Sequence, residues 1–186
     1  MKKKQPELRM YFLCMYNLSD IQKSIQCLHA TVEYQLKYGK DKDYIDWAKY
    51  HKTVILLNGG TSNDGSASVY GETPTPGTME THLKTLNKNK IKCAYFHEPD
   101  ANRSMTAIAF LVPETVFNKK DYPDFESVDN DAWLQKTYIE MPGKKTEELE
   151  WVQWIRNKPK RIIKYTKMVG KDVAFLKDFL KPFRLA

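Results

Sequence analysis

Gln22, Gln26, His29 and Glu33 recur at i, i+4, i+7 and i+11, the spacing that keeps four side chains on one strip of an α-helix. A second set of reactive types lies far along the chain in the turn Glu98-Pro-Asp-Ala-Asn-Arg-Ser-Met and at Thr106 just beyond it. A carboxylate at 98 brought beside the imidazole at 29 supplies the minimum needed to orient or deprotonate a water. Each residue also has a plainer reading. Ser19-x-x-Gln22 is a capping box, in which the amide reaches back to the Ser19 N–H. His29 can be a core-edge histidine held by a backbone carbonyl, Glu98 before Pro99 can simply start a turn, and Thr106 can simply start a strand.

Two further stretches carry charge or glycine in patterns that suit anions. Asn58-Gly59-Gly60 opens a long segment of Gly, Ser, Thr and Pro that runs to Thr78. It lacks the Gly-Lys-Ser/Thr ending of a phosphate-binding P-loop, although glycine N–H groups can still face an anion. From Arg156 to Lys171 there are seven Lys or Arg and no acid, with Trp151, Trp154 and Tyr165 alongside. Backbone phosphates attract such a stripe and aromatic faces stack bases, so Lys158, Lys160, Arg161, Lys164 and Lys167 are candidate nucleic-acid contacts. A solvated surface run is the alternative.

Positioning these residues requires a scaffold, and the apolar pattern outlines one. Leu8 to Tyr16 is a continuous apolar run that suits a central strand. Ser19 then caps a helix from Asp20 to about Tyr38, with Gly39 expected to end it in the left-handed conformation. Ile21, Ile25, Leu28 and Val32 form the stripe expected to face the core, with the polar strip at its rim. A short helix over Asp43 to His51, packed by Ile45 and Trp47 or Ala48, precedes a second strand, Thr53 to Leu57. A helix in which Met79, Leu83 and Leu86 share a face leads to a third strand, Lys92 to His97, and Thr106 to Val112 is the fourth. Alternating strands and helices of this kind argue a three-layer α/β/α sandwich around a four-stranded mixed sheet. Between Pro113 and Gly170 lies a basic and aromatic segment with a helix expected around Glu147 to Trp154. An amphipathic helix from about Lys171 to Leu180 closes the chain.

The 186 residues favour one domain, with residues 8–112 and 171–186 as its core and 113–170 as an insertion. No apolar run approaches the roughly 20 residues that cross a bilayer, and no secretory signal is seen. Cys14, Cys27 and Cys93 lack metal-ligand spacing and read as buried reduced thiols of a cytoplasmic protein. The net charge of +7 suits an anionic partner.

The segment Gln22-Lys-Ser-Ile-Gln-Cys-Leu-His-Ala30 resembles the Lys-x-x-x-Gln-x-x-His-Ala helix of the archaeal and eukaryotic type-2 peptidyl-tRNA hydrolases, with Gln26, His29 and Ala30 matching. Cys93 to Val112 is similar to the family's strand, acid-initiated loop and Thr-headed strand. The closing Leu-Lys-Asp-Phe-Leu-Lys-Pro-Phe-Arg-Leu-Ala resembles the ending of its divergent, domain-containing branch. Gln22 stands where the family has Lys, with Lys23 one step round, Glu98 stands where it has Asp, and the following loop is shorter. The resemblance implies that fold and the hydrolysis of the ester between a peptide and the 3′ end of tRNA, without metal or cofactor. Glu98 or His29 would serve the water, Gln22, Gln26 and Lys23 the carbonyl or terminal ribose, and Thr106 would complete the catalytic set. Asn58, Gly59, Gly60, Asp100, Asn102 and Arg103 would contact substrate. The partner is then tRNA, or another nucleic acid or nucleotide, with no membrane, bound by a monomer or homodimer. A silent or repurposed member is the alternative, binding RNA or a small nucleotide, as a bacteriophage protein that counters host defence would.

Overall fold

The structure is a computed structural model that describes residues 6–62, 77–135 and 153–186. The glycine-rich segment at 63–76 and the greater part of the helix expected around Glu147 to Trp154, including Trp151, lie outside the described residues. Where the length argued one domain, the chain divides into two compact units, residues 1–114 with 180–186, and residues 115–179. The closing helix, expected with the core, belongs to the second.

The first unit is a mixed α/β structure on a four-stranded open sheet. Strands β1 (Leu8–Met15), β2 (Thr53–Gly60), β3 (Cys93–Glu98) and β4 (Ser104–Pro113) stand in the order β2-β1-β4-β3. β1 runs parallel to β2 and antiparallel to β4, and β3 and β4 form an antiparallel pair. The two nearly unbroken apolar runs occupy the two central positions, where both faces of a strand are covered. On the β2 edge, Asn58 N–H donates to Arg184 O and Ala186 N–H to Leu56 O, both at 3.0 Å. The tail thereby occupies hydrogen-bonding groups that an open edge would offer to another chain.

Helix α1 (Asp20–Tyr38) starts as its sequence dictates: Ser19 and Gln22 form the capping box. Its end differs. Gly39 is right-handed at φ −62°, with its N–H on Gln35 O at 2.7 Å, because the chain turns directly into α2 (Lys42–Asp46). The left-handed residue comes later, at Lys52 (φ 54°), after a single π-helical turn over Trp47–His51. There Tyr44 and Trp47, rather than Ile45, are buried.

The larger correction concerns which face of α1 meets the sheet. Ile21, Ile25, Leu28 and Val32 are exposed, and the buried residues are Gln26, Cys27, Ala30 and Tyr34. At 100° per residue the buried set lies on the opposite side of the helix from the aliphatic stripe. The sheet supplies a physical reason. Met10, Phe12 and Cys14 of β1 share the face toward α1 with Ala94, Ala107 and Ala109, and this small-residue floor receives Ala30 and Cys27 closely. Pleating sends Leu13 to the other face, where Met79 of helix α3 (Thr78–Lys88) approaches Gly59 and Leu86 is also buried.

The second unit contains α5 (Phe125–Leu134), α6 (Lys158–Val169) and α7 (Lys171–Phe179), and α4 (Glu114–Phe117) begins at its boundary with the first. Lys177 is its buried tie. The ammonium donates to Tyr122 O at 2.7 Å and Val116 O at 3.4 Å, and contacts the Asp124 carboxylate at 3.2 Å. Burial acts to raise the Asp124 pKa, but hydrogen bonds from Lys119 and Lys177 outweigh it and hold the carboxyl below its ordinary value. Tyr165 adds a hydroxyl bond to Pro123 O at 2.8 Å.

Candidate functional site

In the first unit, α1 and the β3–β4 turn meet through one buried side chain. Gln26 Nε2 donates to Glu98 Oε2 at 2.5 Å, and its Oε1 accepts from Thr106 Oγ1 at 2.6 Å. Thr106 lies fully buried inside β4, two residues after the strand begins, and its hydroxyl also lies 3.4 Å from Phe96 O. Gln26 therefore reads both elements at once: its amide nitrogen faces the carboxylate and its oxygen faces the hydroxyl, an assignment forced by Glu98 being an acceptor when ionised.

Glu98 is held from a second side as well. It caps the 3-10 turn Pro99–Ala101, with Asp100 N–H 3.5 Å from Oε1. The turn closes through Asn102 and Arg103 at φ 51° and 57°. Two consecutive left-handed residues without glycine mark a backbone conformation that costs energy, and such positions cluster at functional turns. Arg103 O hydrogen-bonds His97 Nδ1 at 2.8 Å, and His97, Pro99 and Arg103 line an open groove of about 460 Å³. Asp100, Asn102 and Arg103 are thus on the exposed side of the turn.

The remaining residues of the polar strip separate. His29 stacks on Phe96 with ring centroids 4.5 Å apart and planes 23° from parallel. The imidazole therefore rests on an aromatic face, and among the described residues no backbone carbonyl holds it. Gln22 is exposed, and its amide oxygen caps the helix, accepting from Ser19 N–H and Oγ at 2.9 and 3.0 Å. Glu33 is exposed too. Lys23 takes the inward position instead, three residues before Gln26, with its side chain 13% exposed. Its charge reaches the thiol of Cys14 at the end of β1.

Cys14 and Cys27, expected as buried thiols, are buried and form a sulfur pair, with Sγ atoms 3.3 Å apart. The hydrogen bond from Cys27 holds the Cys14 thiol below its ordinary pKa, against the opposing effect of burial, and Lys23 adds to the lowering. Cys27 is pushed up by the same bond and by burial. Only adjacency to Gln26 hinted at this; the sequence separation hid it. Phe96 and His97 were legible merely as strand residues.

Asn58, Gly59 and Gly60 fall inside β2 rather than in a loop. Asn58 Oδ1 accepts from Gly60 N–H at 2.9 Å, and Gly60 turns at φ 84° against Thr78. A Cβ on Gly59 would run into Met79 Sδ and lie 3.0 Å from Leu13 Cβ. Both glycines answer to close packing of α3's first turn.

The basic stripe belongs to α6 of the second unit. Arg161 is committed internally: it makes a two-point ion pair with Asp129 at 2.5 and 3.1 Å, donates to Trp154 O, and lies 3.8 Å from the Trp154 ring centroid. Lys158 lies over Phe125. Lys160, Lys164 and Lys167 are exposed at i, i+4 and i+7 and so share one face. The chain matches no family model, no curated protein and no solved structure.

Proposed function

We propose that the chain is a peptidyl-tRNA hydrolase-like esterase of the type-2 kind, built on a three-layer α/β/α first unit, that acts on the ester between a peptide and the 3′ end of tRNA. The observation that carries this reading is the clamp on Glu98: Gln26 at 2.5 Å and the Asp100 N–H side hold a carboxylate in the turn between His97 and Pro99, two residues that line an open groove. In the proposed reaction Glu98 accepts a proton from a water as that water attacks the ester carbonyl. The tetrahedral intermediate collapses by breaking the bond to the ribose O3′, which takes up a proton and leaves as the hydroxyl. Lys23, the cation nearest Gln26 along α1's inner face, offsets the developing oxyanion. His29, held flat on Phe96, presents an aromatic face and a ring nitrogen to the terminal nucleotide. Lys160, Lys164 and Lys167 attract tRNA phosphates.

The test is turnover of purified peptidyl-tRNA. Glu98→Gln keeps shape and removes charge, so it is expected to lower turnover by roughly 100-fold or more with substrate binding retained. Wild-type protein that turns over none at concentrations equal to substrate sinks the hydrolase reading.

A second reading, binding of RNA or a nucleotide without turnover, is favoured by one observation: both ends of the Gln26 amide are engaged and Gln22 is used up as a cap. Under it, Glu98→Gln leaves affinity unchanged or higher, since a carboxylate near a phosphate only repels.

A further inference from the structure

Helix α1 turns its aliphatic stripe outward. Ile21 is 75% exposed, Ile25 46%, Leu28 63%, Val32 47% and Leu36 76%. The stripe runs about 22 Å along the helix, and a contiguous apolar face of this length is uncommon on a monomer that stays alone. We infer that this face pairs with the same face of a second copy of the chain, as an antiparallel α1–α1′ contact about a twofold axis.

Two features of the stripe point to a copy of itself as the occupant. The first is its symmetry. Ile21 lies as far before the midpoint between Leu28 and His29 as Leu36 lies after it, and Ile25 and Val32 are likewise equidistant. An isologous contact requires that if residue i meets residue j, then j meets i. Placing the axis at that midpoint sets Ile21 on Leu36′ and Ile25 on Val32′, and puts Leu28 level with His29′, so that the two Leu28 side chains flank the axis one residue apart. The first steps of the stripe, four, three and four residues from Ile21 to Val32, are also the seam spacing of paired helices.

The second feature is charge. The face between Ile21 and Leu36 carries no ionised group apart from Glu33 at its margin, in a chain that is 28% charged overall. In the antiparallel register Glu33 opposes Ser24′ and Gln22 opposes Gln35′, so no like charges are brought together. A parallel register would set Glu33 beside Glu33′. Anionic partners would be drawn to the lysines of α6, not to this uncharged face. A standard interface takes about 800 Å² from each partner, and one helix face supplies less. The dimer therefore belongs to the weaker, concentration-dependent class.

The test is sedimentation of the full chain from roughly 1 to 500 µM, since self-association follows concentration. Wild type should rise toward twice the monomer mass, and Ile25→Glu with Leu28→Glu should stay at monomer mass, with the melting temperature that wild type shows at its lowest, monomeric concentration, both sites being exposed. The register is tested by cysteines: a mixture of Ile21→Cys and Leu36→Cys proteins, oxidised with glutathione disulfide, should cross-link as a heterodimer. Neither should cross-link alone, because like ends are about 22 Å apart in the antiparallel pair. A wild type that is monomeric throughout overturns the proposal, whether or not the face then binds lipid vesicles or another protein. So does a dimer untouched by the two glutamates, or Ile21→Cys cross-linking to itself as readily as to Leu36→Cys.

Discussion

At the scale of single residues, Gln26 is the side chain with most at stake, because it is buried and makes two hydrogen bonds to groups far away in sequence. Replacing it with Leu leaves the fully buried Thr106 hydroxyl and a half-buried Glu98 oxygen without that partner. The expected loss is about 1–3 kcal/mol of stability, read as a lowered urea midpoint. Adding Thr106→Val to Gln26→Leu should cost less than the two single losses combined, since it removes the hydroxyl that the first change stranded. Strict additivity would show that the two side chains do not share a bond in solution. The capping box at Ser19 and Gln22 was readable from four adjacent letters. The clamp was not, because 72 positions separate Gln26 from Glu98 and 80 separate it from Thr106.

At the scale of elements, α3 shows how a helix can secure a terminus. His82 sits edge-on to Phe183 of the tail with centroids 4.9 Å apart, and burial holds its pKa below the ordinary histidine value. The sign follows from linkage. Above the unfolded value of about 6.5 both states are neutral and the group contributes no pH dependence. As pH falls below it, the unfolded chain takes a proton that the folded one resists, so stability declines. Urea midpoints at pH 7.5 and 5.5 should therefore differ more for wild type than for His82→Leu. Equal differences would mean that His82 accepts its proton without leaving the fold. Strands and helices themselves were largely legible. β1, α1, β3 and β4 lie within a few residues of their apolar patterns, whereas β2 extends through the glycines because α3 packs too closely there for larger side chains.

At the scale of the whole molecule, the charge of +7 and the position of its exposed part decide how it meets an anion. Lys160, Lys164 and Lys167 form the free face of α6, while Arg161 is spent on Asp129 and Trp154. Under the proposed function, reversing the three lysines to Glu should weaken tRNA binding and flatten its salt dependence, each lost phosphate contact removing about 0.9 from the log–log slope. An unchanged slope would make this face a solvated surface. Arg161→Glu is a different experiment: it should unfold part of the second unit, because it places two carboxylates together where an ion pair stood.

What the sequence by itself determined is local: apolar runs short enough to be strands, the cap at Ser19, the acid-led turn before β4, and the existence of an aliphatic stripe on α1. These depend on neighbours within a turn or two, where periodicity and side-chain chemistry act directly. Tertiary structure alone decided which side of α1 faces the sheet. Periodicity reports that a helix has an apolar stripe but not what covers it, and here the alanine floor formed by Ala94, Ala107 and Ala109 took the small residues Ala30 and Cys27 instead. That choice drew Lys23 and Gln26 inward with them, left Ile21, Ile25 and Leu28 outside, and brought Gln26 against Glu98 and Thr106. A close-packed interface selects by shape as well as by hydrophobicity, and shape is a property of two elements together.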